Sequence, residues 1–157
     1  MAIKIIGSLL IALTGSSLAV AVCRFERKKL NVLDGFIALL FYIKGQIDCY
    51  SLPIKDILES VPKDILNACM CTARPESIGQ IIKDCKIYLE DESLRLLNSF
   101  CAEFGGIYRE EQLKRCEYYI QSLCELRRKL ADEIPTRRKV GSALWVCSSL
   151  GLMIILW

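Results

Sequence analysis

The side chains best suited to chemistry in this chain are thiols: nine Cys among 157 residues, with no His. Cys69 and Cys71 form a C-M-C triplet, with Cys49 and Cys85 nearby in sequence, and such a group could suit a thiolate metal site. The C-x-x-C pairs usual for such sites are absent, and no imidazole is available as a ligand. The odd count and irregular spacing argue against a complete disulfide framework. We therefore expect the Cys to be small buried hydrophobes. Glu90-Asp91-Glu92 is the densest acidic run, but nothing near it would shift a carboxyl pKa toward acid catalysis. It reads better as a helix start, where carboxylates meet the positive end of the helix dipole. The absence of His excludes Ser–His and Cys–His nucleophilic catalysis. No Gly-rich phosphate loop occurs. The expectation is a chain with no catalytic residue, no metal, no cofactor and no small-molecule substrate.

What positions these residues is set by charge. Of 21 Lys and Arg, only Lys4 lies outside residues 24–139. Residues 5–22 and 140–157 are uncharged runs of 18 residues each. Each would span about 27 Å as a helix, against a hydrocarbon core about 30 Å thick. Lys4, Arg24 and Lys139 can snorkel to close the gap. We expect transmembrane helices at 3–23 and 140–157, with a domain at 24–139 between them. The bases crowd next to the spans, at Arg24, Arg27, Lys28 and Lys29 and again at Arg137, Arg138 and Lys139. Residues 30–126 carry ten bases against fifteen acids. Membrane-proximal Lys and Arg stay cytoplasmic, which places 24–139 inside. The same clusters should attract anionic lipid. Nucleic acid is not expected as a partner, because the bases abut the spans and the rest of the domain is acidic. Ala19 and Ala21 resemble a signal-peptide cleavage site, but the apolar run is too long and four bases follow it.

The domain reads as helical throughout. Leu30, Leu33, Phe36, Ile37, Leu40, Ile43 and Ile47 recur at steps of three and four, so one helix is expected from the first span to about Tyr50. Gly35 and Gly45 within it are either tolerated or sites of close helix approach. Pro53 and Pro62 each open a short helix, and Pro75 is expected to open another. A further helix follows Glu90–Glu92 and ends at Gly105-Gly106, the usual C-terminal cap. The last helix starts near Tyr108, with Leu113, Cys116, Ile120, Leu123 and Leu130 on its apolar stripe. Glu110–Lys114, Glu111–Arg115 and Glu125–Lys129 are spaced to support it. Tyr118 and Tyr119 should divide into one exposed and one packed ring. Pro135 is expected to break or kink this helix before the second span. The fold class is all-α, a cytoplasmic bundle of about six helices flanked by N- and C-terminal transmembrane helices.

With span, amphipathic helix, short helices, "FGGIYREEQ", long helix and span in that order, the chain resembles the stage III sporulation protein AB family. "LNVLDGFIALLFYIKGQIDCYSLPIKDIL" is similar to the family's first helix and Pro-started second. "FCAEFGGIYREEQ" resembles its motif at Phe100, Phe104, Gly105, Arg109 and Gln112. The family usually has Asp where this chain has Tyr108. The resemblance implies a non-enzymatic membrane platform in a channel complex linking mother cell and forespore. It implies a place in the outer forespore membrane, with the domain on the mother-cell side. The implied partners are other stage III sporulation channel proteins, including a cytoplasmic ATPase. It also implies likeness to the F-type platform protein of type II secretion. The five motif residues are candidates for partner binding, with Arg109 and Gln112 the most exposed. A two-span adaptor or sensor unrelated to sporulation would share the topology and is the alternative.

Overall fold

The computed structural model describes the backbone of residues 2–50, 53–71, 73–104 and 108–156, and the side chains of 20–50, 53–71, 73–104 and 108–135. Among the described residues every regular element is helical. The order is α1 (Ala2–Tyr50), α2 (Ile54–Ser60), α3 (Lys63–Ala68), α4 (Ile78–Cys85), a 3-10 turn (Lys86–Tyr88), α5 (Asp91–Glu103) and α6 (Arg109–Leu156). The all-α expectation holds. Six helices account for both the bundle and the apolar ends, because each end run continues a bundle helix.

The chain divides into two compact units, residues 28–130 and residues 1–27 with 131–157. The first unit is narrower than the expected domain at 24–139. Its limits follow the core, whose outermost buried apolar side chains are Val32 and Leu130. α1 supplies the centre of that core, burying Val32, Leu33, Phe36, Leu39, Leu40, Ile43 and Ile47. The period of three and four predicts five of these. Leu30 and Ile37 are partly buried beside them. α6 adds Cys116, Tyr119, Ile120, Leu123, Leu126 and Leu130, and Leu113 packs at its edge.

The short helices start where their Pro residues fix the backbone. The Pro53 and Pro62 carbonyls accept from the Asp56 and Ile65 N–H groups at 3.0 and 3.1 Å. Asp56 and Asp64 sit in the first turns. α4 starts later than expected, at Ile78 rather than Pro75. Ser77 is its N-cap, its hydroxyl accepting from the Gln80 N–H at 3.3 Å. The Gln80 side chain in turn accepts from the Glu76 N–H at 3.2 Å. These two bonds, a variant of the S-x-x-Q capping box shifted by one residue, satisfy the N–H groups of Glu76 and Gln80 at the helix start. The acidic run opens α5 as expected, with Asp91 and Glu92 in its first turn.

Pro135 does not interrupt α6, which is helical through it to Leu156. Proline removes one backbone hydrogen bond, and the turns on either side keep theirs. Within the described residues one segment, Val20–Tyr50, is long and apolar enough to cross a membrane. That candidate span near the N-terminus is consistent with membrane association. Much of its apolarity is used in the domain core, since 44% of its most apolar window is buried. The side chains of 3–19, of the expected second span at 140–157, and of Arg137, Arg138 and Lys139 lie outside the described residues.

Candidate functional site

The C-M-C triplet is explained by how α3 ends. Met70 adopts a left-handed backbone, φ 59°. Its N–H donates to the Asn67 carbonyl at 3.0 Å, and the Cys71 N–H donates to the Leu66 carbonyl at 2.9 Å. This pair of bonds is a Schellman ending. The reversal turns Cys69 and Cys71 inward, 0% and 3% exposed, while Met70 remains 39% exposed. Cys85 and Cys116 are also fully buried. Burial, reinforced by neighbouring thiols, pushes Cys69 up to about 12. Burial pushes Cys85 to about 12 and Cys116 to about 11. These are protonated, inert thiols rather than nucleophiles. Among the described residues Cys49 and Cys124 are the exposed ones. Among the described residues no group of three or more Cys, Asp or Glu is arranged to hold a metal.

The motif residues separate into packing and capping roles. Phe100 is buried, 4.7 Å from the Phe104 ring and 5.4 Å from the Tyr119 ring, edge-on to the latter. Phe104 is partly buried against the core. Gly105 lies outside the described residues. Arg109 is exposed and engaged through two of its three nitrogens. Its Nε donates to the Ile47 carbonyl at 3.3 Å, and its Nη2 donates to the Asp48 carbonyl and to Asp48 Oδ1, the latter at 2.8 Å. Arg109 therefore caps the last turn of α1, where unpaired carbonyls and the negative dipole end favour a cation. Gln112 is half-exposed, with its N–H donating to the Tyr108 carbonyl at 3.1 Å.

Sequence reasoning anticipated neither this cap nor a second one. Arg115 donates to the Glu103 carbonyl, the last of α5, at 2.9 Å, and pairs with Glu111 at 2.9 Å. Of the three i,i+4 pairs named from sequence, this is the one that closes. Two arginines on successive turns of α6 thus hold the ends of α1 and α5. A missed ladder of long-range pairs also joins α1 to α6. Asp34 takes Arg127 in two bonds, at 2.9 and 3.2 Å, and Lys44 meets Glu117 at 3.4 Å. Arg109–Asp48 completes the ladder. Exposed pairs of this kind contribute about 0.2–1 kcal/mol each and serve chiefly to fix register. No sequence signal announces them, because the partners lie far apart in the chain.

Of the membrane-flanking bases, Arg24, Arg27 and Lys28 are exposed. Lys28 Nζ lies 5.8 Å from the centre of the Tyr88 ring. Lys29 pairs with Glu90 at 3.4 Å. Large apolar side chains exposed on the domain include Phe41, Ile87, Tyr108 and Tyr118. Tyr119 is buried beside exposed Tyr118, as expected. A cleft of about 650 Å³ between α4 and α5 is lined by Lys83, Lys86, Arg95 and Asp91 together with Ile82 and Leu94.

This arrangement positions helices and presents surfaces. Compared with known proteins, the chain matches the family model of stage III sporulation protein AB over residues 4–157. No curated protein and no solved structure matches it.

Proposed function

The chain belongs to the stage III sporulation protein AB family, and from that premise we propose that it is a non-enzymatic membrane platform of the sporulation channel. Family membership implies a sporulation-related role. In the proposed role the helical domain docks the cytoplasmic ATPase and other channel proteins. Two spans, at 3–23 and 140–157, hold it in the membrane. The domain faces the cytoplasm, on the mother-cell side of the outer forespore membrane, because Arg24–Lys29 and Arg137–Lys139 flank the spans. The role parallels that of the F-type platform protein in type II secretion.

The observation that carries this reading is the extent of the match, which takes in both apolar ends as well as the domain. Supporting it, the buried thiols pack and the motif arginine caps a helix, so the chain's reactive groups serve architecture. Two measurements test the proposal. Cross-linking in sporulating cells, followed by purification of the full chain in mild detergent, should recover the ATPase. Its absence from an otherwise cross-linked complex would rule out ATPase docking. Cys49 and Cys124, exposed among the described thiols, are the ones to follow for topology. They should resist a membrane-impermeant reagent in intact cells and react once the cells are opened. Labelling in intact cells would reverse the assigned side.

A further inference from the structure

Within residues 28–130, α1 and α6 are joined by the ladder, and each turns a stripe away from the core. On α1 the stripe is Asp34, Phe41, Gly45 and Asp48, all exposed. It lies opposite the buried Phe36, Ile43 and Ile47 of the same helix. On α6 it is Lys114, Tyr118, Gln121 and Arg128, also exposed, opposite the buried Cys116, Leu123 and Leu130. Phe41 and Tyr118 are large rings left 54% and 61% accessible. Gly45 is a gap, since a Cβ there would meet nothing within 4 Å. Lys114 and Arg128 make no ion pair among the described residues; the pairs of this unit engage other bases. Asp34 and Asp48 are held by Arg127 and Arg109, yet their side chains stay 47% and 61% accessible, open to a second cation. Each stripe thus offers what the other lacks: α1 a gap between two acids, α6 a ring between two bases. Within one chain they cannot meet, because both face outward.

We propose that this outer face is a self-complementary interface with a second copy of the chain, α1 of each copy lying against α6 of the other about a two-fold axis parallel to the helices. Such an axis leaves no freedom of register, because it keeps every residue at its own height. The heights are set within one chain by two rungs of the ladder, Asp34 with Arg127 and Lys44 with Glu117. Arg109 reaches Asp48 across about one further turn of rise. At these heights Asp34 falls one residue from the second copy's Arg128, and Phe41 one from its Gln121. Asp48 falls one residue from its Lys114, and Gly45 two from its Tyr118. The ring therefore enters the gap while both free bases meet acids. Glu111 is held by its own chain's Arg115, and Glu125 comes opposite Ala38 rather than an acid. The Lys28 ends of the two copies lie at the same end of the pair. This association goes beyond the platform reading and does not depend on it.

Sedimentation of the full chain in mild detergent tests this over a range of protein concentration. A reversible dimer is expected. Tyr118→Ser, Gly45→Leu and Lys114→Glu should each raise its dissociation constant by about tenfold, since every contact in a two-fold interface is lost twice. Gly45→Leu is the sharpest of these. It fills the gap while improving helix propensity, so the dimer should weaken as the urea midpoint holds or rises. A disulfide assay fixes the arrangement. With Cys49 and Cys124 replaced by Ser, a chain carrying Gly45→Cys and a differently tagged chain carrying Tyr118→Cys should cross-link to each other on mild oxidation. Neither variant should cross-link with its own kind, and the Ser background alone should give no dimer. A single-copy mass at every concentration would overturn the proposal. So would a dimer indifferent to all three substitutions, which places the contact elsewhere in the chain. Cross-linking of Gly45→Cys to itself would put α1 against α1 and overturn it as well. Recovery of the ATPase from sporulating cells is read separately and bears on the platform reading alone.

Discussion

Gly35 and Gly45 share one helix and have opposite reasons to be glycine. A Cβ at Gly35 would lie 2.7 Å from the Ala68 carbonyl carbon and 2.8 Å from the Cys69 nitrogen. Both contacts are backbone, so neither can move aside cheaply. A Cβ at Gly45 would meet nothing within 4 Å. Gly35→Ala should therefore destabilise the domain by about 1–3 kcal/mol, the cost of overpacking. Gly45→Ala should stabilise it by up to about 1 kcal/mol through helix propensity. Urea midpoints of the two variants decide this, and a shared sign would contradict it. The buried thiols make a second prediction at this scale. Cys69 and Cys85 ionise near 12 in the fold, against an ordinary 9.0. Tyr119 is also raised to about 12, first by burial and then by its hydrogen bond to Glu103. A raised folded-state pKa means that the unfolded chain releases protons first. The stabilisation is complete below about pH 9 and is lost as pH rises through 12. The urea midpoint should fall between pH 8.5 and 10.5 on the order of what two or three such groups predict. A flat profile would contradict the burial of these thiols.

The two long helices depend on how their ends are held. α6 begins after Tyr108, whose side chain is 88% exposed while its carbonyl accepts from Glu111 and Gln112. A tyrosine side chain cannot fold back onto the first-turn N–H groups, whereas an aspartate can. Tyr108→Asp should thus raise stability by about 1 kcal/mol. Thermal unfolding of the two forms measures it, and an unchanged or lower midpoint would show that the first turn is already satisfied. The same turn carries Arg109, whose guanidinium is committed to Ile47 and Asp48 of α1. The start of α6 at Arg109 is therefore a junction that seats α6 against α1. The position of α4 makes the same point about caps. Pro75 looked like a start from its residue type, but Ser77 and Gln80 formed the working cap because their side chains reach the free N–H groups.

For the molecule as a whole, the apolar core residues among the described ones all fall between Leu30 and Leu130. Residues 28–130 also form a compact unit by themselves. That segment expressed alone should fold as a soluble helical domain with one cooperative unfolding transition. Circular dichroism during urea titration tests this; a broad, non-cooperative loss of helicity would mean that the apolar ends are needed to complete the core.

Composition, charge and period were sufficient for an all-α chain with apolar ends, for the core stripe of α1 and for the Pro-started helices. These are local properties, fixed by which residues recur every three or four positions and where a ring constrains φ. The cause of Gly35 was left open between two readings, and only the approach of α3 decided it. The Arg109 cap on α1 and the ladder from Asp34 to Arg127 were invisible because their members are distant in sequence. Their partners meet only after the helices have packed, and packing follows from the shapes of buried side chains, which no single stretch of sequence encodes.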